Sequence, residues 1–404
     1  MLGTARRVVV NSLADVEKEI EKVGTYPTAF KFIVPKGIHR LIKIEKVPTS
    51  CAHILKQEML AAGGDAAVHR GTVNFSVKES VVLLIGTVKQ LRQVSKKLVS
   101  QPFDLPKLGS EIISLLNHDE GRDSFPVKFG TRLLHLGERT HIMGIINMTP
   151  DSFSSDGLAG EIEAAVEQGK RFVEEGADIL DVGGETARAD RPIISPEEEI
   201  ARVVPVIEAL AKAVDIPISI DTYKSRVARA AIEAGATLLN DISGFKLGPE
   251  IGEIAAEYRV PLVIIHTLKP PKIRPETTPH YDDLMGEVIR FLGSRMAYAE
   301  SLGVARENII LDPGIAFGKT AQQDLEIVKK LREVTSLGRP ILLAPSKKRL
   351  VGETLNLPVE ERFEGTAAAV TVGIMNGANI MRVHDVKAMV RVARMTDAIL
   401  QLET

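Results

Sequence analysis

HIMGIINMTPDSFSSDGLAGEIEAAVEQGKRFVEEGADILDVGGET, residues 141–186, holds the pattern that decides the fold. It opens on a short apolar run, HIMGIIN, and passes through a polar loop into a stretch whose apolar residues stand three and four apart. It then returns to a second apolar run, ADILDVGG. Spacing of three and four gathers apolar side chains on one helix face. An apolar run without alternation marks a strand buried on both faces, as parallel strands are.

The same unit recurs to the end of the chain. Six further runs follow: IPISIDT (216–222), TLLNDIS (237–243), PLVIIHT (261–267), IILDPG (309–314), PILLAPS (340–346) and NIMRVHD (379–385). Helical segments such as PEEEIARVVPVIEALAKA and AQQDLEIVKKLREV separate them. Eight βα units in about 265 residues match the count and size of a (β/α)₈ TIM barrel. An open doubly wound sheet is the rival, but no G-x-G-x-x-G phosphate loop follows HIMGIIN. The expected class is therefore α/β, with the barrel over 125–404.

Residues 1–118 mix strand-like pieces (RRVVVN, HRLIKIEKV, ESVVLLIGT) with helical ones (ADVEKEIEKV, SCAHILKQEMLAAGG, VKQLRQVSKKLVS) and read as a small α+β domain of no evident chemistry. They carry 17 Lys and Arg against 10 Asp and Glu, whereas the whole chain has a net charge of −2. A polar linker is expected over 119–124. Beyond it FPVKFGTRLLHLGERT (125–140) reads as a hairpin able to plug the bottom of a barrel.

Composition narrows the function classes. Tryptophan is absent and aromatics are 4% of the 404 residues, too few for a stacking platform, so no nucleic-acid partner is expected. A single cysteine, Cys51, excludes an intramolecular disulfide framework and points to a cytoplasmic address. Neither a signal peptide nor a membrane span is expected, since no apolar run reaches the necessary length.

Barrel enzymes carry their chemistry at the C-terminal strand ends. Here those ends offer Asn147, Asp181, Glu185, Asp221, Asn240, Asp241, His266, Asp312, Ser346, Lys347, Lys348, Arg382 and His384. Any one alone is more often a turn or cap residue; together they predict a polar pocket. Asp221, Asn240 and Asp312 suit a flat heterocycle with adjacent N–H groups. Lys348, Arg382, His384 and Arg188 supply positive charge for a phosphate-type leaving group.

INMTPDSFSSDG (146–157), ILDVGGET (179–186), SIDTYKS (219–225), NDI (240–242), LDPGIAFGK (311–319), PSKKRLVG (345–352) and RVHDV (382–386) resemble, in order, the motifs of the dihydropteroate synthase family of pterin-binding barrels. The resemblance covers about residues 125–404. It implies joining of 4-aminobenzoate to 6-hydroxymethyl-7,8-dihydropterin diphosphate, with release of diphosphate, in folate synthesis. Asp221, Asn240, Asp312 and Lys348 are then pterin contacts, and Arg382 and His384, two apart on one strand, anchor the diphosphate. Asn147 reaches Mg²⁺, while Asp221 and Asp156 stabilise a developing cation. Phe153 and Phe317 flank the aminobenzoate ring, and Ser346 with Lys347 holds its carboxylate. A homodimer is implied as well.

The chain departs from the family pattern at Ala187, Ala189 and Asp190 after GGET, at Ala316 where glycine is usual, at Lys347 where arginine is usual, and by one extra residue at Ser155. These changes bear on substrate affinity and sulfonamide sensitivity. Rival readings are a pterin-binding methyltransferase of the same barrel family, an aldolase using Lys348, and a non-catalytic pterin carrier whose N-terminal domain binds RNA or protein. The cationic set Lys348, Arg382 and His384 counts against the methyltransferase.

Overall fold

The computed structural model describes residues 3–118, 124–149, 157–186, 191–273 and 280–402. The chain divides into two units, residues 1–122 and 123–404.

In the first unit, α1 (Leu13–Val23) and the short α2 (Phe30–Ile33) precede β1 (His39–Pro48), α3 (Thr49–Ala61), β2 (Asp65–Val68), β3 (Glu79–Thr87), α4 (Val88–Leu98) and α5 (Leu105–His118). The strands form an antiparallel sheet in the order β1-β3-β2. Val82 and Leu84 of β3 pack on Leu55 and Met59 of α3 and on Leu91, Val94 and Leu98 of α4. Ser12 with Asp15 and Thr87 with Gln90 form capping boxes that start α1 and α4. One expectation needs correction. RRVVVN forms no strand: it pairs with neither edge of the β1-β3-β2 sheet, and Val9 is exposed. Helix α5, which lies in none of the helical pieces quoted above, ends at His118, after which the expected linker begins.

The second unit opens with a hairpin, β4 (Phe125–Phe129) and β5 (Arg132–Leu136). Eight parallel strands follow: β6 (His141–Asn147), β7 (Ile179–Gly183), β8 (Ile218–Asp221), β9 (Leu238–Asp241), β10 (Leu262–Ile265), β11 (Ile309–Asp312), β12 (Leu342–Leu343) and β13 (Ile380–Val383). A parallel bridge from Leu311 to Ile341 joins β11 to the start of β12 and closes the barrel. Around it lie α6 (Gly157–Glu174), α7 (Pro196–Ala213), α8 (Ser225–Glu233), α9 (Glu250–Tyr258), α10 (Leu284–Ser301), α11 (Ala321–Lys330), α12 (Arg349–Leu355), α13 (Phe363–Met375) and α14 (Val386–Leu400). Among the described residues no helix is long and apolar enough to cross a membrane.

Strand parity sorts the barrel residues into two apolar clusters. Leu180, Val182, Ile220, Leu239, Ile264, Leu311, Met381 and Val383 face the helices. Met143, Ile179, Leu238, Val263, Ile310, Leu342 and Ile380 belong to a separate cluster that includes Val127, Phe129 and Leu136 of the hairpin. The hairpin therefore fills the N-terminal end of the barrel. Each of these buried aliphatic side chains contributes about 1.5–3 kcal/mol by leaving water. Because side chains alternate along a strand, the residue two beyond each inward apolar residue is inward too. That step leads from Ile179 to Asp181, from Leu238 to Asn240, from Ile310 to Asp312 and from Ile380 to Arg382, and it builds the floor of the mouth.

Candidate active site

Arg382 occupies the centre. Its Nε donates to Asp181 Oδ2 at 2.5 Å and its Nη2 to Asp221 Oδ2 at 2.6 Å, so one guanidinium spans β7, β8 and β13. Asn240 Nδ2 reaches the same Asp181 oxygen at 3.3 Å. The other oxygen, Asp181 Oδ1, is buried and has no hydrogen-bond partner among the described residues. A buried acceptor left unmatched costs roughly 1–3 kcal/mol and suits an N–H of a ligand. Burial pushes the Asp221 carboxyl up to about 7; Arg382 opposes this, while Asp181 and Glu199 add to it. Burial works against the Arg382 charge, but Asp181 and Asp221 outweigh it and raise its pKa.

The β11 end supplies the second half. Asp312 Oδ1 accepts from the Gly314 amide at 2.7 Å, closing the DPG turn, and burial raises the carboxyl against the pull of Lys348. Lys348, just before α12, donates to the Ile315 carbonyl at 2.9 Å and lies 5.2 Å from the Phe317 ring centroid. Burial lowers its pKa to about 8, with Asp312 opposing. Gly314 has φ +76°, and a Cβ there would fall 1.9 Å from the His266 carbonyl oxygen, so only glycine permits this approach.

The structure brings together Asp221, Asn240, Asp312, Lys348 and Arg382, as expected. Asn147, at the end of β6, stands beside them. The Cβ position of Gly183 is 3.9 Å from both Asn147 Oδ1 and Asp221 Oδ2, so two oxygen donors flank a bare glycine. Of the two, Asp221 Oδ2 is already paired with Arg382, whereas Asn147 Oδ1 is an oxygen donor of the kind Mg²⁺ takes. Phe153, Asp156 and Arg188 lie outside the described residues, as do Ser155, Ala187, Ala189 and Asp190.

Three expected residues sit differently from a simple anion cradle. His384 lies one residue past β13, and its Nδ1 is 3.0 Å from Ser346 Oγ. Burial, with Arg382 and Lys347 adding, pushes the ring down to about 4, so at neutral pH it offers a hydrogen bond rather than a charge. Ser346 is thereby engaged with His384. Lys347 pairs with Asp385 at 3.1 Å from a left-handed backbone, φ +56°. Two inventory residues serve the scaffold. Asp241, of outward parity, accepts from the amides of Ser243 and Phe245. Glu185 is held by Lys224, Lys272, Tyr223 and the Ile194 amide.

Two residues here had no role assigned from sequence. Asp181 could have been found from its inward parity and from the cost of an acid inside an apolar strand. Lys319 gave no such signal, because its imidazole partner, His266, belongs to a different strand end and its other partners are backbone carbonyls. Ala316 is also informative: it has φ +70°, a conformation that costs a residue with a Cβ roughly 1–2 kcal/mol. Ala316→Gly is expected to raise stability by about 1 kcal/mol with turnover unchanged, measured by thermal melting beside the activity assay.

A closed barrel with acids, an amide and cations at the carboxyl ends of its strands defines a ligand-binding barrel of the enzyme type. Comparison narrows this class. A family described as pterin binding enzyme matches residues 143–384, and the chain belongs to that family. A dihydropteroate synthase of Clostridium beijerinckii is 49% identical over 276 residues, 68% of this chain and all of the relative. A probable bifunctional folylpolyglutamate synthase/dihydropteroate synthase of Halobacterium salinarum is 37% identical over 389 residues, 96% of this chain and 46% of the relative. The dihydropteroate synthase of Xanthomonas albilineans in complex with 7,8-dihydropteroate superposes with a TM-score of 0.62 at 38% identity, covering 69% of this chain and all of that one.

Proposed function

We propose that this protein is a dihydropteroate synthase, joining 6-hydroxymethyl-7,8-dihydropterin diphosphate to 4-aminobenzoate with release of diphosphate. The observation that carries the reading is the inward set Asp181, Asn240, Asp312 and Arg382 with Asp221 and Lys348, in a barrel like one that holds 7,8-dihydropteroate. The acids and the amide suit the amidine-like edge of the pterin, and Lys348 suits its carbonyl side.

In this reading Asn147 would hold Mg²⁺, which would supply charge neutralisation for the leaving diphosphate. Arg382, with His384 as a hydrogen-bond donor, anchors the diphosphate, and Asp221 stabilises the positive charge that develops at the exocyclic carbon. Phe317 packs on the arene, with Lys347 and Ser346 near its carboxylate. An arylamine is neutral at pH 7, so no strong base is needed. Incubating the protein with both substrates and Mg²⁺ tests the reading: 7,8-dihydropteroate, identified by mass, is the expected product, and its absence overturns the assignment.

The reading extends to a cytoplasmic homodimer. The support for dimerisation is a set of exposed apolar residues on adjacent helices, Val372 and Met375 on α13 and Met395 and Ile399 on α14. Light scattering should return twice the chain mass.

A further inference from the structure

Lys319 is fully buried at the end of the β11 loop, and nothing in the proposed chemistry uses it. Its ammonium has three protons and three close acceptors: His266 Nδ1 at 2.7 Å, the Gly314 carbonyl at 2.8 Å and the Phe317 carbonyl at 3.2 Å. The His266 carbonyl lies further off, at 3.4 Å. Burial, with Lys348 adding, pulls the Lys319 pKa down to about 7, while the carboxylates of Asp324 and Asp312 favour the charge.

The surrounding loop is fastened atom by atom. Lys348 takes the Ile315 carbonyl, Asp324 accepts from the Ala316 amide at 2.9 Å, and Tyr281 donates to the Gly318 carbonyl at 3.0 Å. Arg349 binds the carbonyl of Lys319 itself. Lys319 holds two carbonyls of the loop at once and ties both to His266, the residue that follows β10. One of them belongs to Gly314, whose amide at the other end of the residue donates to Asp312 Oδ1. Gly314 is thus gripped from both sides, by the proposed pterin-binding carboxylate and by the buried ammonium.

We infer that Lys319 is a positioning residue for the pterin: it aims Asp312 through Gly314 and presents Phe317 without touching substrate. The inference rests on the dihydropteroate synthase reading. Without the ammonium, the carbonyls of Gly314 and Phe317 lose their partner, the turn loosens, and Asp312 loses its fixed geometry.

A double-mutant cycle separates this role from general support of the fold. The dissociation constant of 6-hydroxymethyl-7,8-dihydropterin diphosphate with Mg²⁺ is measured for the wild type, Lys319→Met, Asp312→Asn and the double variant. Each single change is expected to weaken binding by roughly tenfold or more, with the double variant within about threefold of Asp312→Asn alone. Lys319→Gln, which keeps two donors, should lie between wild type and Lys319→Met, and it replaces the latter in the cycle if that variant does not fold. Multiplicative losses, or unchanged affinity in Lys319→Met, overturn the role of Lys319. A wild type that binds no pterin overturns instead the activity reading beneath it.

Discussion

Arg382→Met is expected to cut turnover by roughly 10³ and to lower the melting temperature by roughly 10 °C. The catalytic loss follows from the proposed diphosphate anchor. The stability loss follows from what remains: Asp181 is fully buried, Asp221 largely so, and both lose the guanidinium that pairs them. Removing one partner of such a group costs about 3–5 kcal/mol. The loss has a pH signature. Without Arg382 the Asp221 carboxyl has a folded pKa further above its unfolded one, so the folded state binds more protons than the unfolded state. Stability then falls as pH rises through the window between those values. Melting curves at pH 5 and pH 8 should show the larger deficit at pH 8. Adding Asp221→Asn should recover part of the stability and none of the turnover.

Lys348→Met is expected to reduce kcat/KM for the pterin by roughly 10² to 10³, and the wild type should show why in its pH profile. With its pKa lowered to about 8, Lys348 gives up its charge just above neutral pH, and activity declines along a limb centred there. Asp221, pushed up to about 7, sets the opposite limb as its carboxylate forms. Stability moves the other way from activity on the alkaline side. The folded pKa of Lys348 lies below the unfolded value, so the buried charge destabilises the fold below pH 8, and that penalty is relieved between about 8 and 10.5. Lys348→Arg, which does not titrate in this range, should move the alkaline limb upward in the rate profile. An alkaline limb unchanged in Lys348→Arg would remove Lys348 from the site.

The barrel was legible because its strands are apolar at both parities and its helices keep three-and-four spacing. That pattern survives in a single sequence, and the structure places a strand on each of the eight runs. The N-terminal RRVVVN misled because β-branched residues report only a local preference, and this segment pairs with no strand. At the site, Asp221, Asn240, Asp312 and Arg382 were legible as strand ends. Asp181 was visible but unassigned, since its importance lies in a partner 201 residues away. Lys319 was hidden for the same reason: its imidazole partner, His266, belongs to a different strand end. His384 was read as a charge from its residue type, whereas burial beside Arg382 makes it a neutral donor. Positions can be read from periodicity; protonation and pairing come only with packing.

The central claim is that the acids, amide and cations of this barrel mouth act as one pterin diphosphate site. Diphosphate release measures it most directly, with 6-hydroxymethyl-7,8-dihydropterin diphosphate and Mg²⁺ supplied with and without 4-aminobenzoate. Release that tracks aminobenzoate one for one in the wild type, and that collapses in Arg382→Met and Asp312→Asn, is the predicted result. No release from the wild type, or undiminished release from either variant, would contradict it.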